Sequence, residues 1–195
     1  MSAVFPIAYF GSVRYFQDLV RFKQVLFEHS DHFPKQTFRN RMVILGSQGV
    51  QILTMPLEKP SGSKTVTKDV LVSYRQNWPL IHWRALKTSY ASAPYFEHYA
   101  SDIEKILFKK HRFLVDFDLE ITHFFLNTYQ LPIDLSLTEK YLASYPEDYR
   151  FADYENLEMK GEYHQVLFHQ KQFNPAISIL DLLFCEGPMG RQLII

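Results

Sequence analysis

The sequence predicts a mixed fold, α/β or α+β. A small, mostly buried β-sheet is covered by helices from the middle and C-terminal parts of a single domain spanning residues 1–195. Three observations carry that expectation. Short apolar, β-prone runs crowd the first third of the chain, at "AVFPIAYF", "QVLFEH" and "RMVILGSQGVQILTMP". Helical periodicity takes over from Asn77 and holds to about Gln130. A last apolar run, "AISILDLLFCE", precedes the stop signal Gly187-Pro188. Strands followed by helices give a sheet packed under helices.

The elements follow in order. Pro6 keeps the opening run out of a helix interior, because its ring fixes φ and removes a donor. Ser12 stands where an N-cap belongs, and Val13, Phe16 and Val20 behind it share one apolar helical face. Gln24 to His29 reads as a strand. The two runs flanking Gly46-Ser47-Gln48-Gly49 read as a hairpin near residues 40–56 with a four-residue connection. Weak alternation in "VQILTMP" predicts burial on both faces or an irregular strand. Glu58 to Asp69 is the most polar segment and is expected to form a mobile loop, with "VLVSY" as a further strand.

Beyond Asn77, Pro79 suits a first helical turn, and Leu80, Trp83, Lys87 and Tyr90 recur on one face. Pro94 starts a second helix with the stripe Phe96, Tyr99, Ile103 and Leu107. After a break near Asp116, Phe117, Ile121, Phe124 and Thr128 form another stripe. Thr138 to Lys171 is polar, tyrosine-rich and ambiguous. Asn174 and Pro175 are expected to cap and start the final helix.

Composition excludes several classes. Basic and acidic side chains balance at 21 each, unlike the basic footprint of a general nucleic-acid binder. No window approaches the roughly 18–20 apolar residues that a membrane span needs. "MSAVFPIAYFGSV" lacks the features of a secretory leader, so the expectation is a cytoplasmic protein. The lone Cys185 excludes an intramolecular disulfide and a Cys-based zinc cluster, and in an apolar helix it reads as an inert thiol. His29 with His32, and His164 with His169, form loose pairs that match no metal motif, so neither metal nor cofactor is expected. There is no G-x-S-x-G elbow, and "GSQG" lacks the Lys-Ser/Thr of a P-loop.

Three features remain. "PKQTFRNRMVI" places Lys35, Arg39 and Arg41 together, with the two arginines on one face if the strand includes both. Paired guanidiniums suit a phosphate or carboxylate; the alternative is an internally paired or solvated strand edge. His82, beside Trp83, is a candidate proton-transfer group, or else a hydrogen-bonded structural histidine. Asp181 lies mid-way through an apolar helix and needs a partner, for which Arg39, Arg41 and Arg150 are the candidates.

"KQTFRNRMVILGSQGVQILTMPLE", "NWPLIHWRALKTSYASAPYFEHY" and "FNPAISILDLLFCEGP" resemble the WbqC-like family over almost the entire chain. The most specific blocks are K-Q-x-x-R-N-R, the W-x-x-x-H-W helix with its following "PYF", and the closing S-I-L-D-L-L-F-x-E-G-P. Typical members open with His-Gln-Pro-x-Tyr-Leu-Pro, of which "VFPIAYF" keeps a proline and the later aromatic. Cys185 stands where the closing motif often has Asn, and Asp148 to Arg150 resembles a D-x-R element of shorter relatives. The resemblance implies a bacterial cytoplasmic protein of a family associated with surface-polysaccharide (O-antigen-type) synthesis and without a settled activity. The leading expectation is a biosynthetic enzyme, or an enzyme-like ligand-binding protein, for an anionic or nucleotide-linked sugar, with group transfer fitting that context better than hydrolysis. In that role Lys35, Arg39, Asn40 and Arg41 would bind the anion, His82 would move the proton, and Trp83 and Tyr95 would stack on sugar or base. Asp181, Glu186, Gly187 and Arg150 would support the site. The alternative is a non-catalytic interaction protein in which these residues form an internal polar network.

Overall fold

A computed structural model of the protein describes residues 2–58, 65–167 and 176–195. Its first unit is a β-α-β crossover. Strand β1 (Ser2–Pro6) leads through helix α1 (Val13–Leu19) to β2 (Gln24–Glu28), and the two strands pair in parallel, Ser2 opposite Gln24 and Pro6 opposite Glu28. The Ser12 hydroxyl caps α1 by accepting from the Tyr15 amide at 3.3 Å, as its position predicts. A third parallel strand, β5 (Asp134–Leu137), lies on the other side of β2, so the sheet order is β1-β2-β5. The free edge of β1 is covered by the 147–149 stretch, where the Val4 amide donates to the Glu147 carbonyl and the Tyr149 amide to the Val4 carbonyl.

The hairpin forms as predicted from β3 (Arg41–Gly46) and β4 (Gly49–Thr54), but its turn is tighter than expected. Gly46 pairs with Gly49, leaving only Ser47 and Gln48 between the strands, and Gly49 supplies the positive φ of 111°. The β4 strand is not buried on both faces. Leu53 alone points into the core, whereas Val50 and Ile52 are exposed. "VLVSY" is not a ladder strand either. Leu71 and Val72 make single bridges to Phe113 and Leu57, after a short 3-10 turn at Thr67–Asp69. Part of the predicted Glu58–Asp69 loop, residues 59–64, lies outside the described residues.

Helices α2 (Trp78–Tyr90), α3 (Phe96–Phe108) and α4 (Leu114–Thr128) cover the strands. Pro79 sits in the first turn of α2, as expected. Of the predicted α2 stripe, Trp83 and Tyr90 are buried and Leu80 is half-buried, but Lys87 is exposed, and the buried face also takes in Trp78, His82, Leu86 and Ser89. The α3 stripe Phe96, Tyr99, Ile103 and Leu107 is buried throughout. The chain breaks at 109–113 rather than at Asp116, which lies in the first turn of α4. The α4 core face is Leu114, Phe117, Asp118, Ile121 and Phe125, with Phe124 and Thr128 half-buried. Helix α5 (Ile179–Glu186) begins at Ser178, whose hydroxyl accepts from the Leu180 amide; the predicted cap Asn174 and Pro175 lie outside the described residues. Past Gly187 the chain makes a 3-10 turn and a last helical turn, α6 (Arg191–Ile194). One hydrophobic core joins these elements, densest in aromatic rings around Tyr9, Phe16, Trp78, Phe117 and Phe125. No helix among the described residues is long and apolar enough to cross a membrane.

Candidate functional site

The carboxyl ends of β1 and β2 converge with the segment that precedes β3. Beyond β1, Phe10 adopts φ 47°, a left-handed conformation rare for a bulky residue. Its neighbour Tyr9 holds the Phe38 carbonyl through its amide at 3.0 Å. Arg39 therefore lies in a turn ahead of the strand, since the Asn40 amide already bonds the Thr37 carbonyl. Strand alternation does not apply to it. The two arginines do not project together as the sequence pattern suggested.

Arg39 turns inward and is 4% exposed. Its Nη1 lies 2.8 Å from Asp31 Oδ2 and 3.2 Å from Thr67 Oγ1, and the Thr67 hydroxyl donates to the same aspartate. Asp31 follows β2 and Thr67 opens the 3-10 turn, so this ion pair fastens the loop after β2 to the motif before β3. Arg41 is half-buried and donates from Nη1 to the Gln36 carbonyl at 3.1 Å, with Gln36 itself at φ 60°. Lys35 is exposed one residue earlier. Asn40 is buried and donates from Nδ2 to the Met55 carbonyl at 3.0 Å.

His82 is 3% exposed on α2 and reaches the same centre. Its Nδ1 stands 2.8 Å from the Tyr9 hydroxyl, and the Thr54 backbone engages the ring as well. Burial lowers its pKa to about 4, with the Thr54 hydrogen bond opposing in part. The imidazole is thus neutral near pH 7, with Nδ1 against the Tyr9 hydroxyl and the Thr54 backbone beside the ring. A buried, neutral imidazole engaged by Tyr9 and Thr54 fits a positioning role better than proton transfer. Trp83, next in sequence, turns away from this centre and stacks on Phe96, with ring centroids 5.9 Å apart.

The remaining predicted residues gather elsewhere. The Tyr95 amide donates to the Phe184 carbonyl at 3.0 Å, and its ring lies against Gly187, the α5 C-cap at φ 54°. Glu186 is half-buried at the end of α5. Asp181 is 0% exposed, but no arginine meets it. It accepts from the Tyr90 hydroxyl at 2.9 Å and the Tyr163 hydroxyl at 2.6 Å, while burial raises its pKa. The expected Asp181–arginine pair is therefore replaced by a tyrosine cradle, which leaves no net charge to balance if the carboxyl is protonated. Arg150 has different partners. It donates to Glu28 Oε2 at 3.0 Å and to both Asp148 oxygens at 2.9 and 2.6 Å, beneath the rings of Tyr141, Tyr145 and Phe151. This network ties β2 to the chain after β5.

One residue at the centre went unnoticed in the sequence. Asp118, on α4, is 1% exposed, and neither of its carboxyl oxygens has a hydrogen-bond partner among the described residues. Burial raises its pKa strongly; the Arg39 charge opposes this, and Asp118 in turn raises the pKa of Tyr9. Among the described residues, Asn40 Oδ1, Arg41 Nε, Trp78 Nε1 and the Tyr129 hydroxyl are likewise buried without partners. Leaving such a group unsatisfied costs roughly 1–3 kcal/mol, so several in one protein call for an explanation. The sequence signal for Asp118 is its phase: it follows Leu114 by four positions and precedes Ile121 by three, on the core side of α4. Among the described residues, no group of three or more His, Cys, Asp or Glu is arranged to hold a metal ion.

Comparison with known proteins adds three findings. The chain is 31% identical over 84 residues to "Uncharacterized protein Rv1507c" of Mycobacterium tuberculosis (strain ATCC 25618 / H37Rv), a match covering 43% of this chain and 36% of that relative. The chain thus aligns with little more than a third of that protein's length. No solved structure matches significantly. The model of the WbqC-like protein family matches residues 8–153, which takes in β2 through β5, the Arg39–Arg41 turn, His82 and Asp118, and the chain belongs to that family.

Proposed function

We propose that this protein serves surface-polysaccharide (O-antigen-type) synthesis by holding an anionic or nucleotide-linked sugar intermediate for group transfer. The observation that carries this reading is the incomplete bonding of the family's basic motif. Arg39 is committed to Asp31, whereas among the described residues Arg41 Nε and Asn40 Oδ1 have no partner and Lys35 is exposed beside them. Arg41 and Lys35 are then the phosphate-binding pair, because a guanidinium with spare donors forms strong charge-assisted hydrogen bonds to an anion. His82 holds Tyr9 and Thr54 in place behind them.

A thermal-shift panel of UDP- and GDP-linked sugars and hexose 1-phosphates tests this. A specific binder is stabilised by about 2.7 kcal/mol at a ligand concentration of 100 Kd. A reproducible rise in melting temperature that disappears in Arg41→Ala supports the reading, and no shift across the panel overturns it. A non-catalytic interaction protein is the second reading, favoured by the burial of Arg39 and Arg150 in ion pairs. That reading expects the panel to be silent.

A further inference from the structure

We infer that the Asp118 carboxyl is the inner end of this ligand site and contacts an uncharged hydroxyl-bearing group, so that the protein reads the sugar there and the phosphate at Arg41. The inference rests on the reading above only in taking a sugar as the ligand class. Its own basis is geometric. Both Asp118 oxygens are buried and unbonded, which is the least favourable arrangement for a carboxyl inside a protein. A structural acid finds donors, as Asp181 does with two tyrosine hydroxyls and Glu28 does with Arg150, Thr138 and the Ser30 amide. Asp118 finds none, although Tyr9, Tyr15 and Arg39 are near enough to act on it electrostatically.

The chemistry at this position distinguishes hydroxyl from phosphate. The neighbouring cation, Arg39, is already neutralised by Asp31 at 2.8 Å. An incoming phosphate would find no spare cation there, and an anion buried without a counter-charge is costly. A hydroxyl meets a carboxyl that can donate through one oxygen and accept at the other. Among the described residues, Asn40 Oδ1 and Trp78 Nε1 are a further buried acceptor and donor without partners, neutral groups that suit hydroxyls or an acetamido substituent. Trp78 packs against Tyr9 with ring centroids 6.2 Å apart, and Phe117 beside Asp118 touches both rings. Aromatic faces beside neutral hydrogen-bonding groups are the surroundings that a sugar ring requires. The Pro34–Phe38 segment is exposed or half-buried, and Gln36 at φ 60° is tied by Arg41 itself. Phosphate capture by Arg41 would release that tie.

The test compares wild type with Asp118→Leu, Asp118→Asn and Arg41→Ala by thermal shift. The probes are N-acetylglucosamine, glucose, their 1-phosphates and inorganic phosphate, with each variant's own melting temperature and circular dichroism measured first. Asp118→Leu is expected to melt at or above the wild-type temperature, because it removes an unbonded buried carboxyl. It is also expected to lose at least nine-tenths of the affinity for the free sugars, while Asp118→Asn loses less. Arg41→Ala should lose affinity only for the phosphate-bearing probes. Free-sugar binding lost in Asp118→Leu but with Arg41→Ala indifferent to phosphate would sustain this inference and remove the phosphate reading. Unchanged sugar affinity in Asp118→Leu would overturn the inference, as would a wild type that binds phosphates but no free sugar. Two ordered waters on the Asp118 oxygens that persist in a crystal soaked with the free sugars would overturn it too, since the carboxyl would then hold internal water only.

Discussion

The Tyr9 hydroxyl is hydrogen-bonded to His82 Nδ1 across 2.8 Å in the buried centre of the protein, where burial keeps the histidine neutral. It joins the loop after β1 to α2, and through Thr54 to the end of β4.

This arrangement predicts a specific acid sensitivity. The folded pKa of His82 is depressed to about 4 from an unfolded value of 6.5, so the unfolded chain takes up a proton first as pH falls. The stabilisation is complete above pH 6.5 and is lost as pH falls toward about 4. It amounts to about 3 kcal/mol. Urea unfolding of wild type and His82→Gln between pH 7 and 4 checks this. The wild type should lose about 3 kcal/mol more than the variant over that window, and parallel curves would contradict it.

Asp118 works in the opposite direction. Burial raises its folded pKa above the usual carboxylate value, so its contribution is present at low pH and is lost as pH rises through the folded pKa. In the absence of ligand, Asp118→Asn should therefore gain stability relative to wild type at pH 7 and lose that advantage near pH 3. Equal differences at the two pH values would show that the carboxyl does not titrate with folding.

Arg150→Met should be among the costliest single substitutions. It strands Glu28, which is 0% exposed, and releases Asp148. Breaking a buried pair from one side typically costs about 3–5 kcal/mol. Chemical denaturation of the single variant and of the double Glu28→Gln, Arg150→Met variant measures it, and the double should recover part of the loss.

Gly187→Ala places a Cβ on the Tyr95 ring at a φ of 54°, so backbone and packing object together. A loss of about 1–3 kcal/mol is expected. Tyr95→Ala should relieve the packing part, and a wild-type melting temperature for Gly187→Ala alone would refute the account of this contact.

Local signals made β1, the Ser12 cap, the hairpin and the α3 stripe legible in the sequence, because each depends on neighbours close in the chain. The β5 strand was not. "DLSL" is only four residues long, too short for its alternation to stand out, and is fixed by pairing with Gln24–Phe27, which lies over a hundred residues away. The β-prone "VLVSY" failed for the mirror reason: its composition fits a strand, but only single bridges are available to it. At the candidate site, residue types singled out Arg39, Arg41 and His82, while their partners depended on the fold. Asp31, rather than Asp181, holds Arg39, because the loop after β2 brings it there. Asp118 was concealed among Asp116 and Glu120, whose alternating charges resemble a solvated surface until helical phase is considered.

The division of labour between the two arginines is the central claim, and titration calorimetry tests it directly with whichever sugar nucleotide stabilises the wild type most. Arg41→Ala is expected to weaken binding roughly 10- to 100-fold, the equivalent of one or two charge-assisted hydrogen bonds, without lowering the melting temperature. Wild-type affinity in Arg41→Ala would contradict the assignment and return Arg41 to the internal scaffold with Arg39.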